Sequence, residues 1–148
     1  MKVVVQRVAS SKVEIAGAIN GEIGQGFLVL LGIGKEDVLD DVDYLVNKVS
    51  ALRVFTDENE KMNLSLSDIN GSVLLISQFT LFADTKKGNR PSFINAAEPS
   101  VAIPLYEAFI SKLKEKQIPV ETGVFGADMQ VSLVNDGPVT IIIDSKMK

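Results

Sequence analysis

The chain has 148 residues, 46% of them hydrophobic, and a formal net charge of −4. It contains no His, Cys or Trp, which excludes a Cys nucleophile, a His general base, a Ser-His-Asp triad and zinc sites built from His or Cys. The acidic balance, with a pI near 4.8, argues against a general phosphate binder, so nucleic acid binding requires a local cationic patch.

The length predicts one domain over residues 1–148. Lys2 is followed only by "VVV" before Gln6 and Arg7, so a secretory h-region is not expected. The apolar run "FLVLLGIG" is too short to span a membrane. A soluble, cytoplasmic protein is the expectation. The mean hydropathy of +0.22 suggests apolar surface covered by a partner, and hence a homo-oligomer.

The first third alternates with period two, Val3 and Val5, then Val13 and Ile15, and is punctuated by glycine. This predicts an antiparallel meander of three or four strands, with Asn20-Gly21 as a hairpin turn. From Asp37 the period changes. Val38, Val42, Leu45, Val46, Val49 and Leu52 fall three or four apart, which predicts an amphipathic helix with Asp40, Asp41 and Asp43 on its solvent side.

A polar, turn-rich segment follows, then "SVLLISQFTLF", whose continuous apolar run suits a strand buried on both faces. The segment "ADTKKGNRPSFINAAEPS" is a long loop carrying the densest positive charge. Ala102, Leu105, Phe109, Ile110 and Leu113 mark a second helix, with Pro104 expected in its first turn. The remainder predicts three strands around glycine-bearing turns. Strands and helices are segregated, so the expected class is α+β: two largely antiparallel sheets forming a barrel-like core, with two main helices packed on one side.

Several motifs invite chemistry. "GEIGQG" and "GIGKED" fail both the dinucleotide and the Walker spacing and are turn glycines. The acidic groups at residues 40–43 and 57–60 fit a solvated surface rather than a metal or glycosidase pair, and no metal site is expected. In "SQFTLFAD", the polar Ser77, Gln78 and Thr80 arrive at a strand end, where a rigid scaffold can present working groups. Thr80 has no His to activate it. Lys86, Lys87 and Arg90, with Phe93 nearby for stacking, form the one dense cationic stretch. In "NDGPVT", Asp136-Gly137 fits a hairpin turn and Pro138 the first position of a strand; a cis Gly137-Pro138 bond is the alternative.

Taken together, "SQFTL" at residues 77–81 and "NDGPVT" at 135–140 resemble the paired signatures of the D-aminoacyl-tRNA deacylases of the bacterial and eukaryotic type. "ENEKMNLSL" and "GNRPSF" resemble that family too, and the similarity runs the length of the chain. The resemblance implies a cytoplasmic homodimer without cofactor. It implies hydrolysis of the ester between a D-amino acid, or mischarged glycine, and the 3′-terminal ribose of tRNA, with no membrane or DNA partner. Gly137-Pro138 would be cis and reach into the partner's active site as the chirality filter, with Asn135 and Thr140 among the substrate-binding and filter residues. Phe125, Gly126, Ala127 and Met129 would surround the terminal adenosine, with core packing as the rival role for Phe125 and Met129.

For the chemistry, backbone amides around Phe79 and Thr80 are expected to hold the oxyanion while Ser77 and Gln78 fix the strand end. A covalent Thr80 nucleophile is the alternative. Arg7 is a candidate brace for the Gly-Pro loop, or a surface cation, and Lys86, Lys87 and Arg90 are candidates for the tRNA acceptor stem. A non-catalytic RNA-binding module and a tRNA-independent esterase are the competing function classes.

Overall fold

The structure, a computed structural model, describes all 148 residues. In chain order the elements are β1 (Lys2–Ile15), β2 (Ala18–Ile23), β3 (Gly26–Gly32), α1 (Leu39–Ala51), β4 (Phe55–Thr56), β5 (Met62–Leu64), β6 (Ser72–Ser77), a 3-10 turn (Phe79–Phe82), α2 (Pro99–Glu115), β7 (Val120–Thr122) and β8 (Gln130–Asp144).

β1 organises the sheet. One edge pairs antiparallel with β8, from Lys2 opposite Asp144 to Glu14 opposite Gln130. The other edge is shared, β3 taking Lys2 to Val8 and β2 taking Ser11 to Ile15, both antiparallel. β6 then adds parallel to β3, and β7 parallel to β6. The expected α+β class and barrel-like core hold. The strands form one mixed six-stranded sheet, with β4 and β5 as a separate ribbon.

The barrel nearly closes between β2 and β7, where Asn20 Nδ2 donates to the Thr122 carbonyl at 2.7 Å. This corrects the predicted hairpin. The turn lies at Ala16-Gly17, both with positive φ (50° and 81°), and Asn20-Gly21 lies inside β2. Gly21 is needed for proximity: a Cβ there would sit 2.9 Å from the Thr122 oxygen.

Both helices pack over one face. Val42, Leu45, Val46 and Val49 of α1 meet Leu105, Tyr106, Phe109 and Leu113 of α2 and, from the sheet, Val3, Val5, Val29, Leu31, Val73 and Leu75. Each such side chain contributes roughly 1.5–3 kcal/mol by leaving water. The opposite face buries Val8, Val13, Ile23, Leu28, Leu74 and Ile76, so β6 is buried on both faces, as its apolar run predicts. Pro99 opens α2 at a position where its missing N–H costs nothing. Pro104 does not lie in the first turn as expected; it stands inside the helix, on its exposed side.

Asp41 also departs from expectation. It is buried, not on the solvent side of α1. Ser145 Oγ donates to it at 2.7 Å, Lys146 Nζ approaches at 3.0 Å, and its other oxygen accepts the Val38 N–H at the start of α1. Neighbouring Asp37, also buried, accepts from the Met1 ammonium at 2.7 Å. A helical wheel cannot anticipate this pairing, because the partners arrive from the far end of the chain.

The C-terminal third contains two strands, not three. "NDGPVT" is no hairpin between strands: it lies within β8, whose two halves both pair with β1. No helix is long and apolar enough to cross a membrane.

Candidate active site

β6 ends at Ser77, and the chain turns into the single 3-10 turn over Phe79–Phe82. The Gln78 amide donates to the Leu31 carbonyl at 2.8 Å, which fixes the turn onto the end of β3. Two glycines make this close contact possible. A Cβ on Gly32 would lie 2.9 Å from Leu81 Cβ, and one on Gly34 would lie 2.8 Å from the Phe82 ring. "GIG" is therefore a seat for the turn. Its sequence signal is two glycines closing a buried strand, a pattern that turn rules alone also explain.

The amides of Phe79 and Thr80 open the 3-10 turn, where N–H groups have no partner within the helix. They donate to no loop carbonyl. The Gln78 side-chain amide donates to Thr80 Oγ1, so the Thr80 hydroxyl is engaged by its neighbour.

Beside the turn lies a cavity of about 270 Å³. Ser77, Gln78 and Phe79 form one side and Phe125, Gly126, Ala127 and Met129 another, so two segments some fifty residues apart meet around one space. The wall also includes Leu31, Ile76 and Val131 from strands and Ile33 just after β3, residues that carried no functional signal. Only Ser77 and Gln78 present polar side chains there. Phe125 rests against Tyr106, ring centroids 5.9 Å apart. The Tyr106 hydroxyl donates to the Leu75 carbonyl at 3.2 Å, and burial pushes its pKa up to about 12 despite an opposing hydrogen bond with Thr122, so it is a fixed, neutral support.

Thr80 does not line this cavity, nor do Gly137, Pro138, Asn135, Thr140 and Arg7. Those five cluster on β1 and β8. Gln6 pairs with Thr140 and Val8 with Asn135, so residues 136–139 all stand opposite Arg7 alone and bulge from the strand. The Gly137-Pro138 peptide bond is cis. Asn135 clips the base of the bulge: its Oδ1 accepts the Val139 N–H at 2.9 Å, and its Nδ2 donates to the Val139 carbonyl at 3.2 Å. Gln6 Nε2 donates to Thr140 Oγ1 at 3.3 Å. Arg7 is only 8% exposed and is not a surface cation. Its Nε donates to the Asp136 carbonyl and its Nη1 to that of Val54.

A model of the D-Tyr-tRNA(Tyr) deacylase family matches residues 4–144. The chain belongs to that family. Its members are hydrolases acting on the aminoacyl-tRNA ester, and this chain is accordingly an enzyme with tRNA as its substrate. Two solved structures are similar throughout. One, named "c-Myc DNA Unwinding Element Binding Protein", is 40% identical with a TM-score of 0.91, covering 97% of this chain and 98% of that one. The other, titled a probable eukaryotic D-amino acid tRNA deacylase, has a TM-score of 0.81 at 16% identity over 96% and 97% of the two chains, and shares the fold.

At the rim of this deacylase-family cavity, Phe79 is 55% exposed and meets Phe93 edge to face, 5.0 Å between centroids. The loop beyond carries Lys86, Lys87 and Arg90, all exposed and none in an ion pair. Phe93 thus joins the cationic stretch to the cavity.

Proposed function

We propose that the chain removes D-amino acids, and mischarged glycine, from the 3′ end of tRNA as chiral proofreading in the cytoplasm, where its substrate is made. The observation that carries this reading is the single cavity lined by residues 77–79 and by Phe125, Gly126, Ala127 and Met129, beside a 3-10 turn whose Phe79 and Thr80 amides donate to no loop carbonyl. The apolar side takes the terminal adenosine, and the polar strand end takes the ester.

An aminoacyl ester is already activated, so positioning and charge stabilisation suffice. Water attacks the ester carbonyl carbon, and the amides of Phe79 and Thr80 hold the oxyanion. The carbonyl–ribose oxygen bond then breaks and the 3′ oxygen takes a proton, with the vicinal 2′-OH assisting. Free D-amino acid and tRNA leave. The cavity wall offers Ser77 and Gln78 and no carboxylate, a donor set suited to metal-independent catalysis.

In this reading a homodimer completes the site. β8 pairs with β1 alone, and it leaves Val134 57% and Ile142 72% exposed, apolar surface that a second copy would cover. The braced bulge at residues 136–139 then enters the partner's cavity and excludes an L side chain through its backbone. Steric exclusion cannot reject glycine, which accounts for that activity.

The test is release of amino acid from matched D-, L- and glycyl-tRNA, with and without chelator. Release from the D and glycyl forms alone, unaffected by chelator, is expected. Equal release from D and L forms would remove the filter, and no release would leave a tRNA-binding module. A second reading, DNA binding, draws on the name of the 40%-identical structure. The net charge of −4 opposes it, and duplex DNA is expected not to compete with aminoacyl-tRNA.

A further inference from the structure

Gly123 follows β7 and is not part of the cavity wall, whereas Met129 is. A Cβ built on Gly123 would lie 2.3 Å from Met129 Sδ and 3.3 Å from Ile76 Cδ1. The φ of Gly123 is not positive, so space, not backbone conformation, calls for glycine here. Met129 therefore lies in the place a side chain at 123 would take, between Gly123 and the cavity.

Ordinary non-bonded contacts lie at roughly 3.5–4.0 Å, so a methyl group at 123 must move the thioether by about 1 Å or more. Ile76 stands 3.3 Å from the same Cβ position, and Met129 borders the cavity, which offers the thioether room to move. Methionine is flexible enough to make that move without unfolding the sheet.

We propose that Gly123 is a specificity-determining positioning residue: the space it leaves behind Met129 sets the depth of the pocket that takes the terminal nucleoside of the tRNA. This rests on the reading of the cavity as the nucleoside site. Gly123 touches no substrate. It acts through Met129, and its effect falls on binding rather than on the bond-breaking step.

The experiment is a double-mutant cycle on D-aminoacyl-tRNA hydrolysis. Gly123→Ala is expected to raise KM about tenfold, the lower end of what one misplaced methylene does in an apolar pocket, with kcat and the thermal midpoint little changed. In a Met129→Ala background the same substitution is expected to leave KM unaltered, because nothing remains to be displaced. An equal KM penalty in both backgrounds, or none in either, overturns the proposal. A fall in kcat or thermal midpoint without the KM rise also overturns it. Adenosine as a competitor of the unsubstituted enzyme tests the underlying reading separately. If it fails to compete while the 123–129 coupling persists, the nucleoside assignment is wrong and the Gly123–Met129 relationship stands.

Discussion

Arg7 Nε donates to the main-chain oxygen of Asp136 at 2.8 Å, while Nη1 of the same guanidinium donates to the Val54 carbonyl at 2.6 Å. One planar fork thus ties the β8 bulge to the segment entering the small ribbon. Lysine keeps the charge but cannot serve two fixed carbonyls in one plane. Arg7→Lys is therefore expected to lower kcat/KM for D-aminoacyl-tRNA by at least about tenfold, since displacement of about 1 Å can cost a hundredfold. Release from the L form should rise relative to the D form. Unchanged D/L selectivity in single-turnover assays would show that the bulge needs no brace.

Gly137 has φ +143°, and a Cβ there would meet Val139 Cγ2 at 2.8 Å and the Val139 main-chain nitrogen at 2.9 Å. The second of these atoms cannot yield without shifting the bulge, and the Asn135 clip holds it. Gly137→Ala is expected to cost roughly 1–3 kcal/mol, the usual scale of local backbone strain. Denaturant midpoints at an unchanged m-value measure it. A midpoint equal to that of the unsubstituted protein would mean the bulge is free to relax.

Thr80 separates two mechanisms. Its hydroxyl accepts from Gln78 Nε2, which engages the side chain and leaves the amide as the contribution assigned to this residue. Thr80→Ala is expected to retain single-turnover deacylation within a few-fold. Loss of several hundredfold, the scale of a removed catalytic donor, would transfer the chemistry to the side chain.

The helices, the doubly buried β6 and the strand-end site were legible because each follows from local period and polarity. Strand direction was not, since the apolar runs of β3 and β6 look the same whether their pairing is parallel or antiparallel. Gly21 looked like a turn because its real constraint, the Thr122 carbonyl, lies a hundred residues on. The bulge at 136–139 was hidden for a related reason: "NDGPVT" satisfies hairpin rules, and only its register against Gln6 and Val8 shows four residues facing one. Of the site, "SQF" was legible as a polar strand end and Phe125, Gly126, Ala127 and Met129 only through the family resemblance, while Gly32, Gly34 and Gly123 become functional only through what they leave room for.

Lys86, Lys87 and Arg90 are exposed, free of ion pairs and linked to the cavity by Phe93. If they track phosphates, each contributes roughly one released counterion. Replacing Lys86 and Lys87 by alanine is expected to weaken tRNA binding and flatten the slope of log K against log salt by about 1.4–1.8, at 0.7–0.9 per phosphate. The maximal deacylation rate at saturating tRNA should hold. An unchanged slope would place the acceptor stem elsewhere on the surface.

Asp41 makes the fold sensitive to acid. Burial alone would raise its pKa, yet the Ser145 hydroxyl, the Val38 amide and Lys146 together lower it from 3.8 to about 2. A carboxyl with a depressed pKa stabilises the fold at any pH above 3.8, and that contribution is lost as pH falls through about 2. At 1.36 kcal/mol per unit the contribution is about 2 kcal/mol. Lys146 is raised by the same partnership, its hydrogen bond to Asp41 foremost. It therefore stays charged throughout this acid window, so of the two partners only Asp41 titrates there. Asp41→Asn keeps the shape and removes the charge. It is expected to lower stability near neutrality by about 2 kcal/mol and to flatten the decline of urea midpoints over the acid window. A variant whose midpoints fall with the same steepness would show that other carboxylates carry the acid sensitivity, and that the contacts of Asp41 with Ser145 and Lys146 add little to the fold.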